Sequence, residues 1–303
     1  MIIVTLVATV VLVAGTWTYF DVALPRVPAF TAYAGRVATT SGTNWLLVGS
    51  DSREGLTQQQ EQQLDTGDTA DASGGRTDAI MLLHIPPDRG KPTLVSLPRD
   101  SLVAIHGYGP NKLNASYSFG GPTLLSRTVE QLTGLHIDHY LEVGFGGFAG
   151  VVDAVGGVRI CLPAAIHDRN IDLDLPAGCQ VLDGAHSLKY MRTRDTFAAG
   201  DLQREQNQRQ FLMALVAECA SRSVLLDPIK FVPMVLSLSR TVQISDGDRL
   251  YDLVQLGDLM HAAAGGGLAT TNVPIGGSEN LPDVGSVLLW DNKKASALFA
   301  GLH

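Results

Sequence analysis

The sequence predicts one α/β domain with helices on both faces of a central sheet, preceded by a single N-terminal transmembrane helix. Three observations carry this. Apolar runs of strand character alternate with helix-patterned segments from Asn44 to the last residues, the pattern of a sheet layered between helices. A chain of 303 residues that is 45% hydrophobic can bury one large core or two modest ones, and no internal repeat or second independent domain divides it. Finally, Ile2 to Phe20 contain no charged residue.

As a helix that opening stretch would be roughly 28 Å long at about 1.5 Å per residue, close to the hydrocarbon thickness of a bilayer. Trp17 and Tyr19 stand at its far end, as interfacial aromatics do. No Lys or Arg precedes it, so its orientation is not written in flanking charge. Residues 1–22 are read as an uncleaved anchor, with a cleaved signal peptide or a buried core helix as alternatives. The first two both put the remaining chain outside the cytoplasm, at the cell membrane. Residues 23–43, with Pro25 and Pro28, read as a linker, and 44–303 as the folded domain.

Within the domain, Asn44–Gly49 is an apolar run that enters Asp51, as a buried strand does before a functional loop. Glu54–Gly75 is rich in Gln, Asp, Gly and Thr, lacks periodicity and reads as a mobile loop. Ala79–Ile85 and Thr93–Leu97 read as strands paired through the turn Pro86–Gly90, followed by a loop around Tyr108–Asn114. Pro122–Leu132 has helical spacing and stops at Gly134. Ile137–Val143 reads as a strand, Phe145–Val155 as a helix ended by Gly156 and Gly157, and Val158–Cys161 as another strand. Ala185–Tyr190 and Asp201–Ala220 read as helices, the second long and amphipathic. The tail keeps alternating, with helices near Pro228–Leu238, Asp248–Ala263 and Asn292–Leu302 and strands near Thr241–Ile244, Thr270–Val273 and Ser286–Leu289.

Cys161 and Cys179 flank a short Asp- and Pro-bearing excursion that a disulfide would close, adding roughly 3 kcal/mol for a loop of that size. The alternative is two unpaired cysteines in a reducing compartment. Cys219 falls in an apolar helical run and reads as a buried free thiol.

The chain carries 22 Lys and Arg against 30 Asp and Glu, a net charge of −8. That excludes a broad nucleic-acid-binding face and makes any anion site local. Six arginines nonetheless recur in short acid-containing motifs. Arg53 follows Gly49-Ser50-Asp51-Ser52, Arg76 opens Arg76-Thr77-Asp78, and Arg99 sits in Ser96-Leu97-Pro98-Arg99-Asp100. Arg192 and Arg194 share Met191-Arg192-Thr193-Arg194, and Arg204 ends Asp201-Leu202-Gln203-Arg204. Arginine's planar fork suits phosphate and stays charged when partly desolvated, so this placement points to a small polyanion.

A diphosphate site also needs a divalent cation. Asp51 and Asp78 stand where apolar strands meet loops, beside the neutral oxygens of Ser50, Ser52 and Thr77. Magnesium needs few carboxylates when phosphate oxygens and waters complete its shell. Arg76 and Arg99 lie at strand ends over one sheet edge, and Arg192 and Arg194, two apart, face one way in an extended backbone. Asp201, Arg204 and Gln208 share one stripe of the long helix, which continues as Phe211, Leu212, Leu215 and Cys219. Taken singly, each motif has an ordinary reading: a surface ion pair worth about 0–1 kcal/mol, a turn, or an N-cap.

Read together and in order, these motifs resemble the LytR–CpsA–Psr family. Asn111-Lys112-Leu113-Asn114-Ala115-Ser116-Tyr117 and Val151-Val152-Asp153-Ala154-Val155-Gly156-Gly157-Val158 extend the likeness, which runs from about Asn44 to Ala220. The resemblance implies an extracytoplasmic three-layer α/β/α enzyme with a mixed central sheet. Such enzymes use magnesium to move a glycan phosphate from a polyprenyl-diphosphate carrier onto peptidoglycan. By that likeness Asp51 and Asp78 position the metal. Arg53, Arg76, Arg99, Arg192, Arg194, Arg204, Lys112 and Gln208 would hold the diphosphate, and Asp201 would orient the arginines. Phe145 and Phe148 would line a prenyl pocket between sheet and helices. The family often has arginine three residues after Arg204, where this chain has Asn207. The cysteine pair and the long Glu54–Gly75 loop look like the actinobacterial branch, whose cargo is arabinogalactan.

Two rivals use the same residues: a hydrolase that trims polyprenyl diphosphates, and a non-catalytic sensor that binds them. Gly144-Phe145-Gly146-Gly147-Phe148-Ala149 also matches a dinucleotide fingerprint, but no strand ending in an acid follows at the required distance.

Overall fold

The computed structural model describes residues 15, 17–50, 77–88, 90–193, 201–219, 221–263 and 267–302. A helical segment at 17–23 leads into β1 (Arg26–Val27). Then come β2 (Thr43–Ser50), β3 (Thr77–Ile85), β4 (Thr93–Ser96) and a hairpin of β5 (Leu102–Ile105) and β6 (Gly109–Lys112). Next are α1 (Leu113–Thr133), β7 (His139–Gly144) and α2 (Phe145–Val155). Four short strands, β8 (Val158–Leu162), β9 (Ile166–Asp168), β10 (Leu173–Leu175) and β11 (Gly178–Leu182), precede α3 (Gly184–Arg192) and α4 (Asp201–Cys219). The chain continues through α5 (Arg222–Leu225), α6 (Pro228–Thr241), β12 (Val242–Ser245), α7 (Leu250–Ala263) and β13 (Ala269–Asn272). The hairpin β14 (Ile275–Leu281) and β15 (Gly285–Trp290) and the helix α8 (Asn292–Ala300) come last.

Among the described residues, seven strands form the central sheet in the order β1-β12-β7-β2-β3-β4-β13. Pairs β1–β12, β7–β2 and β4–β13 are parallel and the rest antiparallel, so the sheet is mixed. Strand alternation sends Leu46, Val48, Ile80, Leu82 and Tyr140 to one face, where Leu113, Leu125 and Val129 of α1 and Phe299 of α8 cover them. Trp45, Met81, Leu83 and Leu94 go to the other face, against Leu256 and Met260 of α7. A further cluster joins α2, α3, α4 and α6 to strands β8 to β11. Cys161 and Cys179 are bonded and sit opposite one another on β8 and β11. Cys219 is a free thiol, pushed up to about 12 by burial and by the Glu218 charge.

Several expectations are corrected. The loop around Tyr108 is the β5–β6 hairpin, whose turn uses positive φ at Gly107 and Gly109 and a Tyr108 N–H bond to the Ile105 carbonyl. The helix expected from Pro122 begins at Leu113. Two helical stretches meet at Gly120 and Gly121, and the positive φ of Gly121 interrupts the periodicity. Strands β9, β10, β11 and β14 have no counterpart in the sequence reading, and Arg192 ends a helix instead of lying in an extended segment.

The stretch 23–43 is built into the domain. β1 pairs with β12, Ala29 is buried, and Thr123 Oγ1 donates to the Pro28 carbonyl. Arg36 and the Tyr33 hydroxyl both bond the buried Glu130 carboxylate, at 2.9 and 2.8 Å. A buried carboxylate needs such donors, which is why this segment is held against α1. Among the described residues no helix is long and apolar enough to cross a membrane; residues 1–14 and 16 of the expected anchor, and the loop Glu54–Gly75, lie outside the described residues.

Candidate active site

One end of the sheet collects the motifs. Ser50 ends β2 and is opposed by Thr77 of β3 and Gly144 of β7. The Leu97 N–H bonds the Ile80 carbonyl at 2.9 Å, so the chain leaving β4 runs past the start of β3 towards Arg99. Helix α2 starts at the same end, at Phe145. Thus four separated motifs are joined by strand register alone.

Pairing of β2 with β3 shifts between Gly49 and Ser50: Gly49 opposes Ala79, and Ser50 opposes Thr77. Asp78 is left as the extra residue of a β-bulge, a device that re-aims a side chain beside active sites. Beside this bulge, the cross-strand partners Ser50 and Thr77 have fully buried hydroxyls with no hydrogen-bond partner among the described residues. A buried hydroxyl left unpaired costs about 1–3 kcal/mol, so a ligand oxygen or a hydrated cation there would relieve both. The donor set is all oxygen, as a hard cation such as magnesium requires.

The Arg99 loop is fixed by its main chain. The Ser101 N–H and Oγ both donate to the Pro98 carbonyl, and the Trp290 indole N–H donates to Ser101 Oγ at 2.9 Å. Leu288 N–H bonds the Asp100 carbonyl, while the carbonyls of Arg99 and Ser101 accept from Asn114 and Leu113. These last bonds occupy otherwise free amides of α1's first turn, so the loop and the helix start define each other. Asp100 then stands between two cations: its Oδ1 is 2.9 Å from Lys112 Nζ and its Oδ2 3.5 Å from Arg99 Nε.

Behind this edge lies a group the sequence reading missed. Glu142 of β7 is buried and accepts from Tyr117 at 2.7 Å and from Tyr140 at 2.6 Å. Burial, then the Glu142 charge, drives the Tyr140 hydroxyl well above its ordinary value. Its parity with Tyr140 on an alternating strand was the available signal, since it puts an acid on an inward face.

The helices that carry the remaining motifs are packed onto α2 through aromatic side chains. Phe211 of α4 touches both Phe148 of α2, at 5.3 Å between ring centres, and Tyr190 of α3, at 6.1 Å. Phe148 is therefore buried core between helices. Arg192 ends α3 two residues beyond Tyr190, and Asp201, Arg204 and Gln208 lie on α4 ahead of Phe211. The side chains of Asp78, Phe145, Arg192, Asp201, Arg204 and Gln208, and the whole of Asp51, Arg53, Arg76 and Arg194, lie outside the described residues.

Two other features compete for attention. A cleft of about 410 Å³ at the opposite end of α3 is lined by Asp153, Asp174, Asp183 and His186. Its carboxylates make it unsuited to a diphosphate. His139, Asp248 and Asp252 cluster with metal-like spacing at the other end of β7. Yet His139 Nδ1 bonds Asp248 Oδ1 directly at 2.5 Å, and Asp248 Oδ2 accepts the Tyr140 and Ser245 amides, so that carboxylate is already satisfied. The dinucleotide reading fails on topology. β8, which follows α2, pairs antiparallel with β11 in a separate sheet, so no parallel βαβ unit exists there.

Comparison with known proteins adds independent findings. The profile of the LytR_cpsA_psr family matches residues 25–299. A probable cell wall biosynthesis protein LcpB of Corynebacterium glutamicum is 46% identical over 97% of this chain and 68% of its own length. A polyisoprenyl-teichoic acid–peptidoglycan teichoic acid transferase TagU of Oceanobacillus iheyensis is 38% identical over 52% of this chain, which spans half of that relative. In fold, the crystal structure of B. subtilis TagV superposes with a TM-score of 0.68 at 23% identity, covering 88% of this chain and 97% of that one.

Proposed function

The chain belongs to the LytR_cpsA_psr family, and from that premise we propose that it transfers a glycan phosphate from a polyprenyl-diphosphate carrier to peptidoglycan, outside the cytoplasm and attached to the cell membrane. Relatives are named for cell wall biosynthesis and for teichoic acid transfer. The glycan proposed for this chain is arabinogalactan, following the actinobacterial likeness. What supports the reading most is the convergence at one sheet end of the Asp78 bulge, the unpaired Ser50 and Thr77 hydroxyls, and the Arg99–Asp100–Lys112 array.

In this reading Arg76, Arg99, Lys112, Arg192, Arg194, Arg204 and Gln208 grip the diphosphate, with Arg53 beside them. Asp201 holds the arginines in place. Asp51 and Asp78 would hold magnesium, which when bound supplies charge neutralisation to the diphosphate oxygens. The prenyl chain is read as lying between the sheet and the helices whose packed core contains Phe148 and Phe211, and Phe145, at the start of α2, is the candidate for lining it. A peptidoglycan hydroxyl attacks the phosphorus next to the glycan. The new bond forms from that oxygen as its proton is released to solvent, the bond to the bridging oxygen breaks, and polyprenyl phosphate leaves. Positioning and charge supply most of the acceleration such a step needs.

The test is full-length protein in vesicles with lipid-linked glycan and peptidoglycan, with and without magnesium. Glycan bound covalently to peptidoglycan only with the metal is the expected result. Polyprenyl phosphate released without attachment would make it a hydrolase, and binding without turnover a sensor.

A further inference from the structure

We propose that the outward face of α6, with the helical segment 17–23 and the first turn of α7, is a docking surface that rests in the anionic headgroup layer of the membrane. The proposal rests on the membrane attachment read above and adds which face of the domain meets the lipid.

Helix α6 is apolar on two sides. Phe231, Met234, Val235 and Leu238 turn into the cluster shared with α2 and α4. Ile229, Val232 and Leu236, spaced i, i+3 and i+7, form an opposite stripe that is 83%, 44% and 38% exposed, and Leu226 just before it is 78% exposed. An apolar stripe on the solvent side of a helix whose other side is already packed is suited to a second apolar surface, not to water. The patch continues onto its neighbours. Phe20 is buried with Met234 and Val235, while Trp17, Tyr19 and Val22 around it stay exposed. Asp21 accepts the Leu250 N–H at 2.7 Å, which fastens this segment to α7 where Tyr251 and Val254 are exposed. Contiguous apolar surface of this kind marks an interaction site.

Two facts name the occupant. In sequence, the uncharged stretch Ile2–Phe20 ends in the segment 17–23 that forms part of this face. Residues 228–245 also carry Lys230 and Arg240 and no acid, in a chain of net charge −8, with exposed Arg222 just before them. The acids beside the stripe, Asp21 and Asp252, are engaged by Arg26, Arg249 and main-chain amides. Asp227, the acid at this end, is engaged as the cap of the Ile229 N–H. An apolar stripe on a segment whose charged residues are basic suits anionic headgroups. A two-fold contact with a second copy would instead set those cations against themselves. Because α6 lies along α2, with Ser237 beside Gly150 and Lys230 beside Gly156, docking here would also fix the height of the α2 end of the active site above the bilayer.

The experiment places a single environment-sensitive label at Ile229→Cys or Leu236→Cys in full-length protein reconstituted in phosphatidylglycerol-containing vesicles. The bonded pair and the protonated Cys219 thiol spare the native sulfurs. Ser278→Cys, on the exposed hairpin beyond the opposite sheet edge, is the control. Labels at 229 and 236 are expected to be quenched by shallow spin-labelled lipid and to lose quenching by aqueous iodide, whereas the label at 278 keeps it. If the protein floats with the vesicles but 229 and 236 remain as open to iodide as 278, docking is overturned and attachment stands. Failure to float would remove the attachment and the docking with it. Lipid-independent energy transfer between labels at 229 of two chains would overturn the proposal in favour of a dimer.

Discussion

Lys112 Nζ stands 2.9 Å from Asp100 Oδ1, so the cation that opens α1 is held by the acid that follows Arg99. That carboxylate sets the distance between two positive groups, and its main chain is separately pinned to β15. Asp100→Asn should therefore keep the loop. Its expected cost to stability is below about 1 kcal/mol, since the pair is partly solvated. Transfer activity should fall by roughly ten-fold or more, because misplaced cations lose the benefit of orientation. A thermal melt beside steady-state rates checks both; a melt that falls in proportion to the rate would contradict the positioning role.

Glu142 answers a different demand. Tyr117 and Tyr140 each give it a hydroxyl, and all three groups lie under the sheet end. Glu142→Ala would leave two hydroxyls without an acceptor at about 1–3 kcal/mol each, on top of a cavity. Glu142→Gln keeps one carbonyl acceptor and should cost far less. Chemical denaturation of the two variants, compared at equal slope, separates these outcomes.

Gly184 carries the α2–α3 crossing. A β-carbon there would stand 2.4 Å from the Ala149 carbonyl oxygen, and the Gly184 N–H already bonds Asp153 at 2.8 Å. Gly184→Ala must push α3 off α2, with an expected cost of about 1–3 kcal/mol. Since α3 ends at Arg192, activity should fall further than stability explains, which rates measured well below the melting point would reveal.

The His139–Asp248 pair predicts a pH dependence of stability. Burial lowers the His139 value, but the Asp248 bond and the charges of Asp248, Asp252 and Asp138 outweigh it, so the net shift is upward. The folded state then binds the proton more tightly than the unfolded one, and stability must fall as pH rises. The contribution is complete below the ordinary histidine value near 6.5 and disappears as pH passes the raised folded value. Melting temperatures of wild type should drop across that window, and His139→Gln should flatten the drop.

Much of this fold was legible because its core strands obey simple periodicity. Leu46 and Val48, or Leu82 and Ile80, alternate inward, and Gly134 and Gly156 stop helices in left-handed conformation. The misses are short or contradictory elements. β14 is exposed nearly throughout and contains Gly276 and Gly277, so it has no apolar signature. β6 contains Pro110 directly after the turn glycine Gly109, and the Gly120–Gly121 break hides the first half of α1. At the site, the order of motifs was readable but the register was not. The Asp78 bulge depends on pairing across residues 51–76, and Glu142 looks like a surface acid until Tyr117, distant in sequence, is folded onto it.

The central claim is that motifs scattered from Ser50 to Gln208 make a single diphosphate site. Calorimetric titration of a short-chain prenyl diphosphate into the full-length protein, with and without magnesium, tests it most directly. Arg99 on the sheet side and Arg204 on α4 are predicted to act on one ligand, so Arg99→Ala and Arg204→Ala should each weaken binding by about ten-fold or more, and Asp78→Ala should remove the gain from magnesium. Undiminished affinity in either arginine variant would contradict a shared site.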